Sequence, residues 1–193
     1  EEMPATVVKR ILKNTDTQTR KSINTLLKYP EDSAGSIMTT EYVTLKKTMT
    51  VKQAMNHIKD IGIHKETIYT CYVTENKRLM GIVTAKSLMT SDDDENITNL
   101  MNTNIISVHT HTDQEQVAHL FRKYDLIAMP VLDSDGCLVG IVTFDDAMDV
   151  MEEETTEDFE KMAAMLPSDK PYLRAGVFAT WKARLPWLMV LML

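Results

Sequence analysis

Apolar positions fall along this chain in two rhythms, and the rhythms recur in the same order twice. Val117, Leu120, Phe121 and Tyr124 stand at i, i+3, i+4 and i+7, which is one face of a helix, and predict a helical segment over 112–124. Its counterpart is the segment 50–59. Before each helix lies a β-branched stretch, 42–45 and 105–108, and after each lies a pair of short apolar runs separated by turn residues. In the first copy these runs are 70–74 and 79–84, around the turn Glu75-Asn76-Lys77. In the second they are 129–132 and 138–143, around Asp133-Ser134-Asp135-Gly136. Both second runs contain the tetrapeptide Gly-Ile-Val-Thr, at 81–84 and 140–143, and each copy opens on a short motif, Ile37-Met38-Thr39 and Leu100-Met101-Asn102. Element order and an identical tetrapeptide recurring together mark an internal repeat, about 36–90 and 99–151. The unit is β-α-β-β-α, and the expected fold class is α+β.

Outside the repeat the pattern changes. Residues 1–29 carry two apolar stripes, Val7, Val8, Ile11, Leu12 and Ile23, Leu26, Leu27, and predict one or two amphipathic helices ending at Tyr29-Pro30. After the repeat, 145–160 holds nine acids in sixteen residues and no base. At about 100° per residue, Asp146, Asp149, Glu153, Glu157 and Glu160 share a stripe ~80° wide, with Met148, Met151, Phe159 and Met162 on the other side. Like charges one turn apart destabilise a lone helix by ~0.2–0.5 kcal/mol per pair. Two readings of this column stand: a solvated face, or a surface that takes an external counter-charge. The far end, 177–193, is apolar, with nine uncharged residues at 185–193, Lys182 and Arg184 before them, and Trp181 and Trp187 alongside. About 20 apolar residues are needed to span a bilayer, so this run is read as the first part of a membrane helix, with basic and tryptophan residues at the interface. An ordinary C-terminal core helix is the alternative.

Composition narrows the partners. A net charge of −7 opposes binding to a nucleic-acid backbone. Two cysteines, Cys71 and Cys137, sit beside apolar residues without metal-ligand spacing and are expected to be buried, reduced thiols. The five histidines are expected at the surface, and the acidic run 92–95 as a solvated linker. There is no nucleophile elbow, and with six glycines no phosphate-cradling loop. No enzyme chemistry is visible. For the acidic column a hard divalent cation is the economical counter-charge, because carboxylate oxygens suit Mg²⁺ or Ca²⁺. Mg²⁺ keeps much of its water and takes one or two carboxylates directly, so it can bridge two acidic surfaces loosely. No EF-hand loop is present.

The doubled unit, over about 34–151, resembles a tandem pair of cystathionine-β-synthase (CBS) domains, regulatory modules that bind adenosine ligands or metals and move an attached domain. Met3-Pro4, the run Tyr29 to Thr39 (YPEDSAGSIMT) and the acidic run from Thr143 to Asp158 are similar to magnesium transporters of the MgtE type. That resemblance implies a layout of 1–33 as the end of a helical N domain, 34–95 and 96–145 as the two CBS domains, 146–176 as a connecting plug helix and linker, and 177–193 as the start of the first transmembrane helix. It implies a homodimeric Mg²⁺ sensor that closes a pore, in a multi-pass protein of the cell membrane whose fragment here is mainly cytoplasmic. The family's magnesium ligands fall on Asp113, Glu115, Asp125, Asp146, Asp149, Glu154, Glu157 and Asp158, with a backbone carbonyl near Arg122. The alternative is an adenosine-nucleotide-sensing CBS module of another membrane transporter or enzyme. The ribose-binding Thr-x-x-Asp of CBS units is present at 143–146, but the first copy has Ser87 at the Asp position, and Thr70 and Leu126 stand where the family has aromatics. Adenosine-nucleotide binding is therefore expected to be weak or absent.

Overall fold

The computed structural model describes residues 28–162, side chains to 159. The amphipathic segment before 28 and the apolar run 177–193 lie outside the described residues. In chain order the elements are α1 (Ala34–Ile37), β1 (Thr44–Lys46), α2 (Val51–Ile61) with a 3₁₀ turn Gly62–His64, β2 (Thr70–Glu75), β3 (Arg78–Thr84) and α3 (Ala85–Thr90). The second copy follows as α4 (Ile97–Leu100), β4 (Val108–His109), α5 (Gln114–Tyr124), β5 (Ala128–Leu132), β6 (Leu138–Thr143) and α6 (Phe144–Met162). Each copy builds its own three-stranded sheet, β1-β2-β3 and β4-β5-β6, with the first pair parallel and the second antiparallel. Among the described residues, those up to Ala147 belong to one compact unit and Met148 onward to another, so α6 starts in one and continues in the other.

Local chemistry sets the boundaries. Thr50 and Gln53 form a reciprocal capping box at the start of α2, with Thr50 Oγ1 accepting from Gln53 N at 3.4 Å and Gln53 Oε1 from Thr50 N at 3.1 Å. The hairpin between β2 and β3 turns through two left-handed residues, Asn76 (φ 51°) and Lys77 (φ 68°). The hairpin between β5 and β6 turns on Gly136 (φ 75°), and Asp133 Oδ1 accepts from Asp135 N at 3.0 Å and Cys137 N at 2.8 Å.

The strand expected over 105–108 is shorter than its sequence suggests, and Pro130 is the cause. In the first sheet Thr44 stands opposite Tyr72, and Tyr72 N donates to Val43 O at 2.9 Å. By register Pro130 is the counterpart of Tyr72, since Tyr72 faces Ile82 and Pro130 faces Ile141. Proline has no N–H to donate at this point of the ladder, and β4 keeps only Val108 and His109.

Neither core is made from one copy alone. The first gathers Val43, Val51, Ile58, Val73 and Leu88 with Ile97, Leu100 and Met101, which come from the opening of the second copy. The second gathers Val117, Phe121, Met129, Val131 and Ala147 with Ala34 and Met38 from the opening of the first. Backbone pairs fasten both exchanges: Thr39 N to Ile141 O at 2.8 Å with the return bond at 2.9 Å, and Ile82 N to Asn102 O at 3.0 Å with its return at 2.9 Å. The acidic run 92–95 is more than a solvated linker. Glu95 O accepts from Val51 N at 2.8 Å and Asp93 O from Lys52 N at 3.0 Å, so two first-turn amides of α2 are capped by it.

Candidate functional site

The acids singled out in the sequence occupy three places. Asp113 is the N-cap of α5: its Oδ1 accepts from Glu115 N at 2.9 Å and Gln116 N at 3.4 Å, and Glu115 follows in the first turn. That position is doubly favourable for a carboxylate, which caps open amides and meets the positive end of the helix dipole. Asp125 closes the same helix in a left-handed conformation, φ 50°, and its N–H donates to Phe121 O. Asp113, Glu115 and Asp125 are all exposed. Eleven helical residues lie between Asp113 and Asp125, roughly 16 Å of rise. One ion cannot be shared by them within a single chain.

The other five acids lie on α6, which is helical over the acidic stretch as the spacing predicts. Asp146 is half-buried, and Thr143 Oγ1 donates to its Oδ2 at 2.5 Å. The neighbouring Asp145 carboxyl is held below its ordinary range, first by the Thr143 hydroxyl, whose single proton serves one of the two acids at a time, and then by the backbone N–H groups of Asp145 and Asp146; partial desolvation opposes them. Asp149 and Asp158 are exposed, while Glu154 and Glu157 are half-buried. The expected apolar face differs from the observed one. Ala147 and Val150 are the buried residues, whereas Met148 and Phe159 are 45% and 53% exposed. Ala147 seats in the second core beside Ala34 and Met38. A helix that buries position 147 turns position 148 about 100° away from that contact.

Among the described residues no three His, Cys, Asp or Glu side chains converge on a point where they would hold a metal. The acids therefore present surfaces rather than a closed cage. The 143–146 motif has a first-copy counterpart in Thr84 and Ser87, whose hydroxyls lie 2.8 Å apart. That pair carries no carboxylate, and Thr84 Oγ1 accepts Ser87 N at 3.1 Å as the cap of α3. Thr143, which positions Asp146, was missed as a partner in the sequence although it stands three residues before it, the usual reach of a capping hydroxyl.

Of the thiols, Cys71 is buried and Cys137 only half-buried, so the expectation of two buried cysteines holds for the first alone. Burial pushes the Cys71 thiol up to about 12. The histidines are exposed apart from His57, which is half-buried. Among the described residues no helix is long and apolar enough to cross a membrane.

Comparison with known proteins agrees with the repeat. Residues 34–94 and 97–153 each match the CBS domain family. Magnesium transporter MgtE of Thermus thermophilus is 42% identical over 179 residues, which is 92% of this chain and 40% of the relative. The chain thus spans about two fifths of that relative's length. Among solved structures, the soluble part of a magnesium transporter superposes with a TM-score of 0.75 at 39% identity, covering 78% of this chain and 59% of that one. The cytosolic domain of the Mg²⁺ channel MgtE in complex with ATP gives 0.74 at 39% identity, covering 77% and 60%.

Proposed function

The chain belongs to the CBS-domain family as a tandem pair, magnesium transporters are among the relatives that match most of its length, and from that premise we propose that it is the Mg²⁺-sensing region of a magnesium transporter of the MgtE type. It is a regulatory module and not an enzyme. The observation that carries this reading is the 42% identity to a magnesium transporter across 92% of the chain. The acidic helix supports it: nine carboxylates stand between 145 and 160 without one Lys or Arg among them, a run of hard oxygen donors that suits a divalent cation. In the absence of Mg²⁺ these charges repel, and the region loosens. Hydrated Mg²⁺ neutralises the acidic surfaces, including those brought together by two copies in a homodimer, and favours the compact state that closes an attached pore. Mg²⁺ suits this role because it binds through a few carboxylates and keeps water for the rest. The ion shifts the balance only by its differential affinity for the two states, so several weak sites act together.

The test compares protease sensitivity and small-angle scattering with and without millimolar Mg²⁺ at matched ionic strength. Asp146→Ala with Asp149→Ala should give a chain more compact without Mg²⁺ and less responsive to it. Glu152→Ala, off the stripe, should change little. Equal Mg²⁺ responses from the two variants would reduce the acidic face to ordinary solvation.

Adenosine-nucleotide binding is the second reading, favoured by the similarity to a channel domain solved with ATP. The Ser87 and Thr70 positions make it the weaker one here. Calorimetry with ATP, ADP and AMP on the metal-free chain separates the readings, since micromolar binding would put the nucleotide first.

A further inference from the structure

Two tyrosines of the first CBS unit project into the apolar layer between the two sheets. Tyr42 and Tyr72 meet edge to face, with ring centroids 6.0 Å apart and an interplanar angle of 85°. The layer is completed by Leu79 and Ile82 from the first unit and by Ala128, Leu132, Leu138 and Ile141 from the second. Tyr42 reaches across, and its hydroxyl donates to Leu138 O at 3.1 Å. Tyr72 is fully buried, and its hydroxyl has no hydrogen-bond partner among the described residues. Most buried polar side-chain atoms have a partner, so an exception in a native fold calls for a reason. The repeat shows that the polarity is one-sided. Tyr72 corresponds to Pro130 by the register of the antiparallel pairs, and Tyr42 corresponds to Ile105 by the register of the parallel pairs. The first unit therefore supplies both hydroxyls, and the second answers with backbone carbonyls alone.

We propose that the contact between the two CBS units is a two-position joint in which the Tyr42 and Tyr72 hydroxyls compete for acceptors on the second sheet, and that this structure is the position that satisfies Tyr42. In the other position a slide of the first sheet along the second gives Tyr72 the acceptor. Packed interfaces move between discrete arrangements rather than deforming continuously. The unsatisfied Tyr72 hydroxyl raises the energy of the present position and so sets how often the joint moves. The backbone pairs Thr39–Ile141 and Ile82–Asn102, which tie each opening segment to the opposite sheet, must loosen for the slide, and their amides report it.

Hydrogen exchange on the full chain tests this with two isosteric variants. Tyr72→Phe removes the unsatisfied group and should slow exchange at the Thr39, Ile82, Asn102 and Ile141 amides by about fivefold or more. The Ala54 and Val117 amides, bonded inside the helices of the two units, should not follow. Tyr42→Phe should speed exchange at the four inter-unit amides. A Tyr72→Phe chain with a higher melting point whose amides all slow alike would make Tyr72 an ordinary buried hydroxyl and overturn the joint. Unchanged or faster exchange at the four amides in Tyr72→Phe, or slower exchange there in Tyr42→Phe, would overturn it too.

Discussion

A Cβ placed on Gly140 would stand 2.5 Å from the sulfur of Met38, a residue 102 positions earlier in the chain. The relationship is repeated at Gly81, where the same addition would collide with Met101. In each case a backbone oxygen of the next residue is also close, Thr39 O at 3.0 Å or Asn102 O at 3.1 Å. The glycine of each Gly-Ile-Val-Thr run is thus where the opposite copy's opening segment lies on the strand. Without a side chain, the backbones approach closely enough for the Thr39–Ile141 and Ile82–Asn102 pairs to form.

Substituting either glycine by alanine should therefore destabilise the fold by about 1–3 kcal/mol, the usual range for overpacking. Methionine can give way, but the carbonyl behind it is tied into the backbone pair. Urea unfolding midpoints for Gly81→Ala and Gly140→Ala check this. Gly140→Ala should also expose the second core first, seen as faster exchange in β5 and β6 than in β2 and β3.

Met38 lies in the first copy by sequence and in the second core by packing. Met38→Ala should cost about 2–5 kcal/mol. Its effect should appear in the second sheet, with faster exchange at Val131 and Val142 than at Val73 and Val83. The reverse pattern would mean that the opening segment belongs to its own copy.

Asp113 combines two duties that one pair of variants separates. Asp113→Ala removes the cap from Glu115 N and Gln116 N and should cost about 0.5–2 kcal/mol with or without Mg²⁺. Asp113→Asn keeps a good cap and loses only the charge. If Asp113 also faces Mg²⁺, the Asn variant should lose only the dipole contribution of about 0.3–1 kcal/mol in metal-free urea unfolding and lose part of the added stability in Mg²⁺ as well. Identical Mg²⁺ gains for Asn and parent would leave Asp113 a cap alone.

The two thiols should differ sharply. Cys71 is buried and its thiol is pushed up to about 12, so the nucleophilic thiolate is scarce at pH 8. Iodoacetamide under native conditions should label Cys137 and spare Cys71, read by peptide mass mapping. Labelling of Cys71 at the rate of Cys137 would mean that the first core opens readily.

Alkaline pH should weaken the fold through the same buried groups. Desolvation raises Cys71, Tyr72 and Tyr42 above their ordinary values. Each holds its proton in the folded chain at a pH where the unfolded chain releases it. Their contribution is complete below the unfolded values of 9.0 for the thiol and 10.0 for the phenols and is lost as pH rises beyond them, up to about 12 for Cys71. Thermal midpoints should fall steadily above pH 9. The fall should be shallower in Tyr72→Phe.

Much of this was legible along the chain, because the repeated signals are local. The 3.6 period over 112–124 needs only its own residues to bury one face, and the helix forms at Gln114–Tyr124. The second apolar run of the pair in the second copy, 138–143, forms the strand Leu138–Thr143. The acidic segment is helical because its residues favour a helix in spite of their like charges. The resemblance to CBS pairs and to MgtE rested on such local runs, and comparison of whole chains agrees with it. What the chain could not show is which copy each element serves. The exchange of the opening segments depends on Gly81 and Gly140 meeting Met101 and Met38. Those residues are distant in sequence, so no periodicity records the contact. The same holds for Ala147, a single methyl whose seat in the second core turns Met148 outward, and for the Tyr72 hydroxyl, whose lack of a partner among the described residues exists only once two sheets close over it. Sequence therefore determined the elements, the repeat and the charge. The three-dimensional fold decided the pairing of segments, the inward face of α6 and the polar fault in the interface, because each of these is settled by steric contact between residues far apart in the chain.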